Sequence, residues 1–127
     1  MTQEKLEKLE KLINSELGSK IQNSIIENEE ILIEIKDNDL IEILQFLKLN
    51  DFCKFRQLID IAAVDYPENE KRFEMIYLLL SHENNLRIKV AIKFDLNINI
   101  PSITKIFPSA NWMEREVFDM YGIKFKN

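Results

Sequence analysis

The segment 86–95 alternates between two sets of residues, and this pattern constrains the fold more than any other feature of the chain. The first set is wholly apolar (Leu86, Ile88, Val90, Ile92 and Phe94) and the second is mostly polar (Arg87, Lys89, Ala91, Lys93 and Asp95). Successive side chains of a β-strand point to opposite faces, so this period of two predicts a half-buried strand. One face packs on a core, while the other faces water or a partner.

Other segments supply the rest of a sheet and its cover. Residues 55–66 and 73–80 are rich in apolar residues and are separated by turn sequences, which predicts two more strands. Residues 20–36 predict two shorter strands joined by a turn at 28–30. Apolar residues recur every three or four positions over 2–17 and over about ten residues from Leu40, which predicts two amphipathic helices.

The predicted order is therefore α-β-β-α-β-β-β, followed by two short C-terminal helices near 102–107 and over 111–121. Single helices between strands that are joined by tight turns are typical of the α+β class. We expect a single domain over 1–127, with a mostly antiparallel five-stranded sheet and its helices on one face. A chain of 127 residues is long enough for one such two-layer sandwich.

The composition argues against several classes of function. The net charge is −5, from 17 basic and 22 acidic residues, which disfavours nucleic acid as the main partner. The only glycines, Gly18 and Gly122, are too far apart for a phosphate-binding loop. A single cysteine, Cys53, and a single histidine, His82, cannot hold an iron–sulfur cluster or structural zinc alone. We expect Cys53 to be a buried small residue and His82 to lie in a surface turn.

The segment 108–123 predicts a helix that is bounded at both ends. Asn111 can cap its N-terminus in a capping box with Glu114, and Gly122 follows where a helix commonly stops. The dipole of the helix favours a negative charge at Glu114, which lowers the expected pKa of this carboxyl and makes it a poor general base.

This helix carries more large side chains than its own docking requires. One apolar stripe is sufficient to dock it, and it consists of Met113, Val117, Met120 and Tyr121. The remaining aromatic residues stand beside an arginine and several acids, which is a composition typical of protein interfaces. The candidate interface residues are Phe107, Trp112, Glu114, Arg115, Glu116, Phe118 and Asp119.

Catalysis is the competing explanation for the acids. Asp65, Glu114 or Glu116 could act as general acid and base in a free-standing enzyme. Asp60 lies in the strand predicted over 55–66, and the alternation of that strand predicts that its side chain is partly buried. A local salt bridge between Arg115 and Asp119, four residues apart and worth about 0.3 kcal/mol, explains the helix charges more simply. We therefore predict no catalytic, cofactor-binding or metal-binding residue in this chain.

The helix also resembles a known family. Residues 114–122, Glu-Arg-Glu-Val-Phe-Asp-Met-Tyr-Gly, are similar to the signature of the 30 kDa subunit (also called the C subunit) of respiratory complex I, the proton-pumping NADH:quinone oxidoreductase. The resemblance extends to the segments 60–67, 72–81, 101–103 and 107–112, and so covers about residues 58–125. The family's signature continues beyond this point, whereas this chain stops at Asn127, so we expect a shortened form or a fragment.

The resemblance implies a structural subunit without a redox centre. Such subunits belong to the hydrophilic arm and contact the quinone-site subunit, which is related to hydrogenase large subunits. FMN, iron–sulfur clusters and quinone would then be bound by other subunits. The location implied is peripheral, on the cytoplasmic side of the bacterial inner membrane or the matrix side in mitochondria.

A related machine is the alternative within this resemblance. Membrane-bound hydrogenases and other complex I-like oxidoreductases carry a similar domain. The strand end Val64-Asp65-Tyr66-Pro67 favours the NADH-linked form.

Overall fold

The computed structural model describes residues 2–126, which form three helices and seven strands. The helices are α1 (Thr2–Leu17), α2 (Leu40–Leu49) and α3 (Ala110–Tyr121). The strands are β1 (Ile21–Glu27), β2 (Glu30–Ile35), β3 (Gln57–Asp65), β4 (Phe73–Ser81), β5 (Leu86–Phe94), β6 (Ile100–Pro101) and β7 (Phe125–Lys126). Short 3-10 turns at Gly18–Lys20 and Asp37–Asp39 lead into β1 and α2.

Five strands form one sheet in the order β1-β2-β5-β4-β3. Every neighbouring pair is antiparallel except β2 and β5, which run parallel with Ile33 opposite Val90. A parallel pair requires a crossover, and the chain makes it through α2 and the β3–β4 hairpin. The fold class predicted from the sequence is thus confirmed, including the predominantly antiparallel sheet.

All three helices contribute to one hydrophobic core on a single face of this sheet. Leu9 of α1, Leu44 of α2 and Val117 of α3 belong to the same cluster as the buried side chains of β4 and β5. Along β4 the buried residues alternate with half-buried ones, as expected for a strand with one covered face. Ile76, Leu78 and Leu80 lie on the opposite face, which no helix covers in the part of the chain described.

The C-terminal region differs from the prediction in two ways. The expected helix near 102–107 is instead a single turn, in which the amides of Ile106 and Phe107 both bond to the carbonyl of Ile103. Pro101 and Pro108 bound too short a segment for a helix to extend. In addition, β6 before this turn and β7 after α3 form a two-residue parallel ladder that no sequence pattern predicted.

Within residues 2–126, no helix is both long enough and apolar enough to cross a membrane.

Candidate functional site

Helix α3 is held between strand β3 and the β6–β7 ladder, and its N-terminus differs from the prediction while its C-terminus agrees with it. It begins at Ala110, and the side chain of Ser109 at the N-cap position makes no capping hydrogen bond. The predicted capping box between Asn111 and Glu114 is therefore wrong. The C-terminus agrees with the prediction, because Gly122 adopts a left-handed conformation (φ 73°) and its amide bonds to the carbonyl of Phe118 at 2.8 Å.

The buried face of α3 is anchored by Glu114, which is only 6% exposed. Its two carboxylate oxygens accept hydrogen bonds from the hydroxyl of Ser102 and the backbone amide of Ile103, each at 2.8 Å. Burial raises the pKa of Glu114, although the bonds from Ile103 and Ser102 oppose that shift. The expectation of a lowered pKa is wrong, because the helix has turned this carboxyl into the domain rather than toward water. Glu114 thus ties the segment after β6 to α3, and its side chain is occupied within the chain.

Phe107 is also part of the domain rather than of its surface. It is 3% exposed and belongs to the core cluster. Its side chain is therefore needed for packing within the domain, whereas the sequence suggested that it was available for a partner. The ammonium group of Lys48 lies 5.3 Å from the centre of its ring and donates a 2.5 Å hydrogen bond to the carbonyl of Ile106. This contact joins the end of α2 to the turn before α3.

The outer surface of α3 presents the other predicted interface residues to solvent. Trp112 is 66% exposed and Phe118 is 46% exposed. Arg115, Glu116 and Asp119 are exposed as well, and no ion pair joins Arg115 to Asp119 among residues 2–126. Five of the seven candidate side chains are therefore accessible, and the local salt bridge proposed for the helix charges does not form.

Met120 lies on this outer surface although the sequence placed it in the docking stripe. It is 74% exposed, whereas Ala110 is fully buried and Tyr121 is half-buried. The inward stripe is Ala110, Glu114, Val117 and Tyr121, which also recur at three- and four-residue spacing. The apolar pattern did not show this rotation, because Glu114 is a charged residue at a core position.

Depressions flank α3 on both sides and add residues that sequence reasoning missed. On the β6–β7 side is a groove of about 590 Å³, lined by Asn99, Asn111, Glu114, Arg115, Phe118, Lys124 and Phe125. On the β3 side is a cleft of about 270 Å³, lined by residues 60–63 of β3 and by Met113, Glu116, Val117, Met120 and Tyr121. The first depression combines aromatic rings with cations, and the second combines methionines with acids. The composition of the chain alone does not indicate on which side of α3 each charged residue lies.

Asp60 and Asp65 differ in their surroundings. Asp60 is exposed rather than partly buried, and its carboxylate accepts a 2.9 Å hydrogen bond from the amide of Ile61. Asp65 accepts bonds of 2.7 and 2.9 Å from the guanidinium of Arg72, which lowers the pKa of Asp65. A carboxylate held by an arginine in this way is a weak base, so the geometry does not favour acid–base catalysis at Asp65.

The two residues with metal-binding or nucleophilic potential lie apart from α3. Cys53 is 1% exposed, and burial raises the pKa of its thiol to about 12. His82 is exposed in the β4–β5 turn, beside the side-chain carbonyl of Gln57. Over residues 2–126, no three His, Cys, Asp or Glu side chains come together in a way that could hold a metal ion.

These features define a two-layer α+β domain with one exposed aromatic helix. Within that class, the chain belongs to the family described as the respiratory-chain NADH dehydrogenase 30 Kd subunit, whose family model matches residues 33–127.

Individual relatives agree with this assignment. The C subunit of the NADH-quinone oxidoreductase of Chelativorans sp. (strain BNC1) is 40% identical over 122 residues, covering 96% of this chain and 61% of that protein. The same subunit of Bartonella bacilliformis is 38% identical over 125 residues, covering 98% of this chain and 61% of that protein. The chain thus spans about three fifths of the length of these curated relatives.

Solved structures share the fold. The trypsin-resistant fragment (1-134) of Nqo5 superposes with a TM-score of 0.81 at 22% identity, covering 97% of this chain and 96% of the other. A chain of the membrane-bound sulfane sulfur reductase, an archaeal respiratory membrane complex, superposes with a TM-score of 0.83 at 24% identity, covering 97% of this chain and 71% of the other. Likeness at these identities establishes the fold alone.

Proposed function

We propose that this chain is a non-redox structural subunit of the peripheral arm of an NADH:quinone oxidoreductase, and that it docks on the quinone-site subunit through α3. Family membership and the relatives named as subunits of NADH-quinone oxidoreductase support the type of complex. The partner supplies the quinone site, while FMN and iron–sulfur clusters reside in further subunits. The chain's place is peripheral, on the cytoplasmic side of the bacterial inner membrane or the matrix side in mitochondria.

The exposure of Trp112 is the observation that carries this proposal. Large aromatic side chains contribute most to binding when a partner covers them, and they are costly to leave in water. Trp112 is 66% exposed on a helix whose opposite face is firmly anchored by Glu114. A rigid helix that presents Trp112, Arg115 and Phe118 loses little entropy when a partner binds it, which favours affinity.

The function of such a subunit is to hold the arm together. Electrons from NADH pass through cofactors in other subunits, and transfer to quinone requires that the quinone-site subunit keep its position relative to them. Docking through α3 contributes to that position without any chemistry in this chain. Coupling to proton translocation then takes place elsewhere in the complex.

A charge reversal at Arg115 tests the docking. The variant Arg115→Glu should weaken capture of the quinone-site subunit, since Arg115 is exposed on the proposed contact surface and makes no ion pair among residues 2–126. Lys105→Glu is the matched control, because Lys105 is an exposed cation outside α3. Unchanged capture by Arg115→Glu, with both variants folded, removes the case for α3 as the contact.

The second candidate is the equivalent subunit of a related membrane-bound hydrogenase or complex I-like oxidoreductase. Only the fold supports it, since a chain of an archaeal respiratory membrane complex has the same fold. Purifying the assembled complex and identifying its electron donor separates the two, because NADH oxidation supports the first and a different donor supports the second.

A further inference from the structure

Strand β3 forms one edge of the five-stranded sheet, with β4 on one side and no strand on the other among residues 2–126. It is nine residues long and mostly apolar, and it contains neither proline nor lysine. Natural proteins usually protect such an edge with those residues or with a covering element, because its unpaired backbone groups pair readily with another chain.

The register of the β3–β4 pair shows which backbone groups face outward. The amide of Tyr66 bonds to the carbonyl of Arg72 at 2.6 Å, so the positions two and four residues earlier, Val64 and Ala62, also bond toward β4. The intervening residues Ile61, Ala63 and Asp65 therefore direct their amides and carbonyls to the open side.

One of these outward groups is already occupied. The amide of Ile61 donates to the carboxylate of its neighbour Asp60 at 2.9 Å. The amide of Ala63 has no such partner within residues 2–126, and the carbonyls of Ile61 and Ala63 face the same side. The amide and carbonyl of Asp65 face this side as well, so an incoming strand would find two free donors, at Ala63 and Asp65, and three acceptors, enough for a short ladder.

The cleft between β3 and α3 lies directly beside these groups. Its lining is largely apolar and adaptable, because it includes the half-buried Met113 and, at the outer rim, Met120, which is 74% exposed. Two acids, Asp60 and Glu116, stand among its lining residues, and no cation does. Neither acid makes an ion pair among residues 2–126.

We propose that an extended segment of the partner protein adds a strand to the open edge of β3, with apolar side chains on the methionines of the cleft and Lys or Arg side chains beside Asp60 on the opposite face. Side chains of an added strand alternate in the same way as those of β3. Those level with Ile61 and Ala63 point toward α3, while those level with Asp60 and Ala62 point to the uncovered face. The partner segment is therefore one in which apolar and basic residues alternate.

A second copy of the chain fits this edge less well. Pairing two β3 edges would bring together Asp60 and Glu116 from both copies with no cation in either cleft. Like charges facing each other across a strand pair are destabilising. The inference rests on the proposed function, because docking through α3 brings the partner to the same side of the domain.

Amide hydrogen exchange on the chain, alone and in complex with the quinone-site subunit, tests the proposal. The amide of Ala63 should exchange rapidly in the free chain and become protected in the complex, whereas the amide of Val64 is protected in both. The variant Ala63→Pro removes the central free donor and places a ring where the partner would pair, yet it leaves the bonds from Ala62 and Val64 to β4 intact. It should weaken capture by at least about tenfold, and circular dichroism checks that it folds.

Charge reversal supplies a second arm. Asp60→Lys should weaken capture about tenfold, whereas Glu70→Lys, an exposed acid in the turn after β3, should not change it. If the complex forms but Ala63 exchanges at its free rate and both variants bind normally, the strand addition is refuted while docking through α3 stands. Protection of Ala63 in a homodimer without the partner would make a second copy the occupant and overturn the proposal. If the wild-type chain captures nothing, the proposed function fails, and the strand addition with it.

Discussion

Replacing Glu114 with Ala should destabilise the domain through the segment that precedes α3. The substitution removes the acceptor for the Ser102 hydroxyl and for the Ile103 amide, both bonded at 2.8 Å. Ile103 is fully buried, so its amide would be left without a partner. A hydrogen bond to a charged group contributes about 1.5–3 kcal/mol. Two such bonds are lost, but the substitution also removes the cost of burying the carboxylate, which offsets part of this loss.

The expected net loss is about 2.5 kcal/mol in the free energy of unfolding. The entropy of unfolding is about 2.1 cal/mol/K per residue, so for 127 residues the melting temperature should fall by about 9 °C. Urea denaturation followed by circular dichroism measures the free energy, and calorimetry measures the temperature. Glu116→Ala is the matched control, because Glu116 is an exposed glutamate on the same helix and its loss should change stability by less than about 0.5 kcal/mol. If Glu114→Ala is no more destabilising than Glu116→Ala, the assigned role of the buried carboxylate is wrong.

The pH dependence of the same residue gives an independent check. Burial raises the pKa of Glu114 in the folded chain above its usual value of 4.5, so the folded state binds this proton more tightly than the unfolded chain. Its contribution to stability is therefore greatest below pH 4.5, declines as the pH rises through the folded pKa, and is constant above it. Relative to Glu114→Gln, which cannot titrate, the wild type should lose stability as the pH rises through this window. A gain over the same window would show that the hydrogen bonds from Ser102 and Ile103 outweigh burial.

Three further predictions concern residues away from the docking surface. Tyr77→Phe should leave the free energy of unfolding unchanged or raise it by about 0.5 kcal/mol, because the Tyr77 hydroxyl is buried with no hydrogen-bond partner in residues 2–126. If urea denaturation shows a loss above about 1 kcal/mol, the hydroxyl has a bound water or another partner. Glu29→Gly should stabilise the β1–β2 hairpin by about 0.5–1 kcal/mol, since Asn28 and Glu29 both have positive φ (54° and 62°). Asn28→Ala should destabilise it, and thermal or urea denaturation of both variants measures the two changes. Cys53 should react with iodoacetamide at pH 8 only as fast as the chain unfolds, because burial raises the pKa of its thiol to about 12; rapid labelling of the native chain would contradict its burial.

The sequence predicted the five strands of the main sheet and the three helices, α3 to within one residue of its start, because those elements follow local patterns. Alternation located β5, and three- and four-residue spacing located α1 with the bounds that the structure shows. Gly122 marked the end of α3 for a purely local reason, its freedom to adopt a left-handed conformation. The predicted α+β class follows from the order of these elements alone.

The missed features depend on contacts between distant segments. Glu114 looked like the third residue of a capping box, yet its partners lie eleven and twelve residues earlier and are brought to it by the turn after β6. Since Glu114 takes an inward position, α3 is rotated and Met120 faces solvent instead of the core. Lys124 and Phe125 enter the groove beside α3 only because β7 pairs with β6, and a two-residue ladder leaves no periodic signal.

The fluorescence of Trp112 tests the docking of α3 most directly. It is the only tryptophan of the chain and is 66% exposed, so the free protein should emit like an indole in water and be readily quenched by acrylamide. Titration with the quinone-site subunit, using a tryptophan-free form of that partner, should shift the emission to shorter wavelength and reduce the quenching. Trp112→Ala should weaken binding by about 2 kcal/mol, or about thirtyfold. A complex that forms with unchanged Trp112 emission, unchanged quenching and undiminished affinity for Trp112→Ala would show that the partner binds elsewhere on the domain.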